Sequence, residues 1–205
     1  MLVWRDALGE GLQRCTASLI GPDLALTASH CLPPSTRHVG AACGSMWMTF
    51  AEAPERPAEW VSCQSVLHAS ASPEATVLET DLAIIRLARP VAREPLGLAF
   101  VPTDASAIVS VVAIRPHPIY PSQHELSSRL CRVATRESAV EQFGADAARV
   151  GWLIDCPSYP GNSGAPILDR RGRIRAVLHG GSGPVDRIAI TSDLGELPSG
   201  SIAGR

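Results

Sequence analysis

The chain has 205 residues, a length that one all-β domain fills as well as two smaller domains. Apolar residues are 45% and charged residues 19%, a globular composition. A chain of this size buries roughly 70% of its unfolded surface. The net charge is −2, so no basic footprint argues for a nucleic-acid partner, and every one of the 18 cationic side chains is Arg. Without a lysine amine, a Schiff base, a P-loop and a Ser-Lys dyad are all excluded.

The N-terminus, Met1-Leu2-Val3-Trp4-Arg5-Asp6, has neither the basic nor the apolar region of an export signal. Short apolar runs rich in Val, Ile, Thr and Trp follow, separated by Gly and Pro. They predict strands at 15–20, 25–28, 46–50, 60–67 and 82–87. A seam over 88–104, punctuated by Pro90, Pro95 and Pro102, divides these from a second set. That set is 108–114, 130–134, 149–154, 165–168, 173–178 and 187–191, with one short helix or helical loop over 138–148. No run approaches the ~18 apolar residues of a membrane-spanning helix. The expectation is an all-β fold of two packed barrels with a crevice between them.

The six cysteines, Cys15, Cys31, Cys43, Cys63, Cys131 and Cys156, form no CxxC pair. No metal site is expected, and disulfides are the default reading. Disulfides imply an oxidising compartment. The export signal was then removed, or else the protein is cytosolic and its thiols are reduced.

Three segments carry the chemistry. They are Leu26-Thr27-Ala28-Ser29-His30-Cys31, Thr80-Asp81-Leu82-Ala83 and Pro160-Gly161-Asn162-Ser163-Gly164-Ala165-Pro166. Each alone has an ordinary reading: a histidine at a strand end, a strand-opening Asp, a Gly-rich turn. Together they supply a minimal acyl-transfer set. A hydroxyl holds its proton too tightly to attack at neutral pH, so Ser163 needs a base, His30. The base in turn needs an anion, Asp81, to fix its tautomer. Glycines around Ser163 allow the N–H groups of Gly161 and Ser163 to converge on a developing oxyanion.

These segments resemble the trypsin/chymotrypsin-like serine peptidases. Ala28-Ser29-His30-Cys31 is similar to TAAHC, Asp81-Leu82-Ala83 to D-[IL]-A, and Gly161-Asn162-Ser163-Gly164-Ala165-Pro166 to GDSGGP. The His, Asp, Ser order is also the family's. The resemblance implies two six-stranded antiparallel Greek-key barrels, 1–95 and 96–205, with the active site between them. It implies a serine endopeptidase that acts on protein or peptide substrates as a monomer, without cofactor, nucleic acid or membrane. An esterase and a non-catalytic binding module are the rivals. It pairs Cys15 with Cys31, and its bacterial members pair Cys131 with Cys156, which leaves Cys43 with Cys63. A secreted or periplasmic location follows. Closing the loop between Cys15 and Cys31 should add about 3 kcal/mol in the chain-entropy model.

The chain departs from the animal digestive enzymes in two linked ways. Asn162 replaces the Asp that pairs with their new N-terminal amine, and the Ile-Val-Gly-Gly start is missing. With no amine to pair, a carboxylate at 162 would be costly to bury. The form Gly161-Asn162-Ser163-Gly164 resembles a bacterial branch that includes glutamyl endopeptidases. Pro157 stands where trypsin has its pocket carboxylate, so strong Arg or Lys selectivity is not expected. The pocket is expected from Pro157, Ser158, Leu178, His179, Gly180 and Gly181, with a small, apolar or acidic residue preferred before the scissile bond. Matching the glycines puts Leu178 rather than His179 where glutamyl endopeptidases have a histidine, and one residue on a strand reverses the face.

Overall fold

The computed structural model describes residues 1–5, 12–52, 54, 56–70, 79–101, 104–116, 124–183 and 187–197. Within them most of the regular structure is strand, in two antiparallel sheets.

The first sheet has seven strands. They are β1 (Leu2–Arg5), β2 (Leu12–Cys15), β3 (Ser18–Leu19), β4 (Leu24–Thr27), β5 (Met46–Phe50), β6 (Glu59–Ala69) and β7 (Ala83–Leu87). Their order is β2-β1-β5-β6-β7-β4-β3. The expected closed six-stranded barrel is therefore a curled, seven-stranded half-barrel here. β6 turns the corner: its first half pairs with β5 and its second with β7, with register shifts at Cys63/Ser65 and Val66/His68. Such bulges bend a strand and increase its twist. β1 was not foreseen, because four residues are too few to show a period. Leu2 and Val3 are buried, and the strand is held on both sides, by β2 and β5.

The strand expected at 15–20 breaks in two at Thr16 and Ala17. Thr16 is diverted into tertiary bonds, donating its N–H to the Ser163 carbonyl at 2.8 Å and its hydroxyl to the Gly161 carbonyl at 2.8 Å.

The second sheet closes into a six-stranded barrel, as expected. Its strands are β8 (Ile108–Pro116), β9 (His124–Val133), β10 (Gly151–Ile154), β11 (Pro166–Leu168), β12 (Ile174–Gly181) and β13 (Ala189–Asp193), ordered β10-β13-β12-β11-β8-β9. β9 begins earlier than expected because Ser127 and Ser128 dilute its apolar pattern. The helical stretch is α1 (Arg136–Phe143), capped by the Thr135 hydroxyl accepting from the Ser138 N–H at 3.1 Å, and then a 3₁₀ turn (Ala145–Arg149).

β12 joins the two cores. Ala176 and Leu178 pack inside the closed barrel with Val111, Leu153 and Ile167. Ile174 and Val177 pack into the core of the first sheet with Leu26, Ile84 and Leu194. The seam after β7 crosses the same junction, where the Leu96 N–H meets the Leu19 carbonyl and the Ala99 N–H meets the Ile174 carbonyl. Three disulfides add cross-links: Cys15–Cys31, Cys43–Cys63 and Cys131–Cys156. These are the three expected pairs.

Candidate active site

His30 sits in a 3₁₀ turn (Ser29–Cys31) directly after β4. Its main chain and ring are both tied to Asp81: the His30 N–H donates to Asp81 Oδ1 at 2.9 Å, and Nδ1 lies 2.5 Å from Asp81 Oδ2. A carboxylate in that place makes Nδ1 the protonated nitrogen and leaves Nε2 as the basic one. Arg37 clamps the turn from behind, donating to the His30 and Leu32 carbonyls at 2.9 Å each.

Asp81, just before β7, is only 7% exposed. Burial pushes its carboxyl pKa upward and is the largest single effect. The hydrogen bonds from His30 and the charges of His30 and His179 together outweigh it, and the carboxyl lies below its ordinary value.

Ser163 comes from the turn before β11. With Gly161 and Pro160 it forms one wall of a cleft of about 350 Å³, facing His30, Cys31 and the β1–β2 residues Trp4, Gln13 and Arg14. His30 and Ser163 thus share the cleft, but no hydrogen bond joins Ser163 Oγ to His30. The N–H groups of Gly161 and Ser163 donate to no acceptor among the described residues. Trp4 fixes the other wall by donating from its indole to the Cys31 carbonyl at 2.8 Å.

The turn itself is over-determined. Gly164 has φ +84, and an added Cβ would drive into the Thr16 carbonyl oxygen and Thr27 Oγ1. Only glycine lets the turn come this close to β4. The Gly164 N–H also donates to the Leu178 carbonyl at 2.7 Å, so β12 and the Ser163 turn are locked together.

Asn162 is fully buried beneath Ser163. Its Oδ1 accepts from Arg129 at 2.7 Å and from the Tyr159 N–H at 3.1 Å, and its Nδ2 donates to the Ile114 carbonyl at 2.6 Å. No N-terminal amine is expected to pair with a carboxylate at this position. Arg129 supplies a cation instead. An amide is nonetheless the better residue, because a carboxylate would turn an oxygen lone pair on the Ile114 carbonyl.

The six expected pocket residues divide. Ser158 is buried against Gly181 and Gly183, its hydroxyl accepting from the Gly183 N–H at 3.1 Å. Pro157 is half-buried, and Gly180 and Gly181 close the end of β12. Leu178 is in the core of the closed barrel, 1% exposed. His179 is 5% exposed, and its Nδ1 lies 2.9 Å from Ser192 Oγ. Neither Leu178 nor His179 is among the residues that line the cleft of His30 and Ser163. Ser192 in turn accepts the Asp81 N–H at 2.8 Å. Sequence reasoning missed Thr16, Arg129 and Ser192; each acts across a separation of 30 residues or more, and no local pattern marks them.

The family model for the trypsin-like peptidase domain matches residues 15–177. The chain belongs to the trypsin-like peptidase family. A search of curated proteins returned no match. Among solved structures, the scabies mite inactivated protease paralogue S-D1 superimposes with a TM-score of 0.71 over 95% of this chain and 86% of that one, at 14% identity. At that identity the likeness shows a shared trypsin-like fold.

Proposed function

We propose that this trypsin-like domain is a serine endopeptidase working through His30, Asp81 and Ser163. The observation that carries the reading is the 2.5 Å contact of His30 Nδ1 with the buried Asp81, on the wall of a cleft that Ser163 shares. Ser163 Oγ attacks the scissile carbonyl. His30 Nε2 takes the hydroxyl proton and returns it to the leaving amine. Asp81 holds the imidazole tautomer and stabilises the imidazolium. The N–H groups of Gly161 and Ser163 receive the oxyanion, and water then releases the acyl group.

The residue before the scissile bond is small, apolar or acidic, since Pro157 offers no charge to Arg or Lys. Gly180 and Gly181 leave main chain open for substrate to add as a strand. Three disulfides favour an extracellular or periplasmic setting.

The absence of a Ser163–His30 hydrogen bond is the observation that favours the second reading, a latent or non-catalytic module. A fluorophosphonate probe separates the two. Attack by Ser163 Oγ forms a Ser–O–P bond and expels fluoride, while the hydroxyl proton passes to His30. Labelling is expected at Ser163, absent in Ser163→Ala and slower by about 10⁴ in Asp81→Asn. A folded, disulfide-intact chain that takes no label is a latent or non-catalytic module. Peptide and ester substrates offered side by side then separate an endopeptidase from an esterase.

A further inference from the structure

β12 carries an irregularity at its most consequential residue. Leu178 pairs with Thr191 and Gly180 pairs with Ile190, so His179 is the extra residue of a bulge. Bulges re-aim a side chain and are over-represented beside active sites. Here the bulge turns the imidazole inward, to the same side as Ser192, whose register partner Val177 packs in the core of the first sheet.

The contacts then run in one line. His179 Nδ1 lies 2.9 Å from Ser192 Oγ, Ser192 Oγ accepts the Asp81 N–H at 2.8 Å, and Asp81 takes both the N–H and the ring of His30. Every link but His30 is buried. A buried hydroxyl can satisfy Asp81 and His179 at once, because it has one proton to give and two lone pairs to offer. When His179 Nδ1 accepts, the Ser192 proton points to His179 and its lone pairs are left for the Asp81 N–H. The hydroxyl rotor is then fixed.

We propose that His179 is a positioning residue for the triad: through Ser192 it fixes the main chain of Asp81, and so the carboxylate that orients His30. The proposal rests on the reading of His30 and Asp81 as base and orienting anion. It also gives His179 a task different from the substrate contact expected of it, since it acts from behind the triad.

Two further observations support this. When His179 is protonated instead, Nδ1 donates to Ser192 Oγ, which still accepts the Asp81 N–H, and the imidazolium charge lowers the Asp81 carboxyl, after burial and the His30 bonds. The strand is also pinned where the role requires it, by the Gly164 N–H on the Leu178 carbonyl and the Leu178 N–H on the Ala165 carbonyl. A shift of His179 is thus coupled to the nucleophile turn as well as to Asp81. The other ionisable groups around Asp81 are Arg37, from the loop after β4, and Glu196, which accepts the Thr80 hydroxyl. On β13, Asp193 follows Ser192, its own carboxyl pushed up by burial and by Glu196.

The test uses His179→Ala, His179→Asn and Ser192→Ala in the disulfide-intact chain. Asparagine places a hydrogen-bonding atom near the position of Nδ1, so it is the rescue variant. For His179→Ala and Ser192→Ala, kcat on a peptide substrate should fall by about 10- to 100-fold, with KM within about twofold. The pH profile of kcat should shift as well, and His179→Asn should recover most of the loss. A change confined to KM would overturn the proposal in favour of a substrate-contacting role. An unchanged kcat and pH profile in His179→Ala and Ser192→Ala would overturn it outright. A second readout needs no turnover: the low-field proton resonance of His30 Nδ1–H, followed with pH. It should broaden or move in His179→Ala and Ser192→Ala and return in His179→Asn. If wild type shows the resonance but takes no fluorophosphonate, the peptidase reading fails while the positioning of Asp81 is still measured. If the resonance is the same in all four proteins, the positioning fails whatever the activity.

Discussion

Gly164→Ala puts a methyl group where the Ser163 turn meets β4. Three costs can be read from the structure. The first is backbone strain: φ is +84, a region costing an L-residue about 1–2 kcal/mol. The second is overlap, because the methyl would clash with the Thr16 carbonyl oxygen and Thr27 Oγ1 and lie 3.1 Å from the Thr16 carbonyl carbon. Overpacking of this kind costs about 1–3 kcal/mol. The third is the pair of hydrogen bonds that must yield, Thr27 Oγ1 to the Thr16 carbonyl and the Thr16 N–H to the Ser163 carbonyl, both 2.8 Å. Each contributes about 1 kcal/mol. The expected loss is about 4–7 kcal/mol, reduced where one shift relieves two of these at once. Gly172→Ala is the control. Its φ is +73 and nothing lies within 4 Å of an added Cβ, so it carries the strain alone, about 1–2 kcal/mol. Urea denaturation of both variants, compared at a common m-value, isolates the contact cost as their difference. If the two lose stability equally, the close approach of the Ser163 turn to Thr16 and Thr27 is wrong. Fluorophosphonate labelling of Gly164→Ala at low temperature, where the chain is still folded, should also slow, since Ser163 moves with its neighbour.

Two more expectations concern buried polar groups. Asn162→Ala removes the partners of Arg129, the Tyr159 N–H and the Ile114 carbonyl together, and should cost about 2–4 kcal/mol in urea. A loss under about 1 kcal/mol would mean that water replaces the amide. In the hairpin after β11, burial tends to raise the Asp169 carboxyl. The N–H groups of Arg173 and Arg171 and the Arg173 guanidinium outweigh it and hold the pKa at about 2. A depressed carboxyl stabilises the fold above its unfolded value near 3.9, and that gain disappears as pH falls through about 2. Asp169→Asn should therefore cost about 1–2 kcal/mol at pH 7 after screening, and the gap from wild type should close between about pH 4 and 2. A gap that stays constant with pH would rule out the ion pair as its source.

Much of this molecule is written locally. The strands at 46–50, 82–87, 108–114 and 165–168 appear within two residues of the predicted bounds, because each is a short apolar run closed by turn residues. The all-β class and the division near the proline seam follow from the same punctuation. The three motifs and the cysteine spacing led to the family, and the family model spans 15–177. What failed locally failed for stated reasons. Thr16 breaks a predicted strand because its hydrogen bonds go to Ser163 and Gly161 rather than to a ladder. The two-barrel class holds, with the first sheet curled by the bend of β6 across β5 and β7 and left as a half-barrel because its edge strands β2 and β3 do not pair.

The sequence by itself determined which residues are the candidates for the proposed chemistry and their order along the chain. Residue type and short spacing are enough to say that a hydroxyl, an imidazole and a carboxylate stand in turns beside strands. Only the tertiary structure decided which of them meet. The His30–Asp81 contact, the Arg129–Asn162 bond and the His179–Ser192–Asp81 line join residues separated by 51, 33, 13 and 111 positions. The face of His179 was undecidable from its strand, because a single bulged residue reverses the two-residue alternation. That bulge exists only in the pairing of β12 with β13.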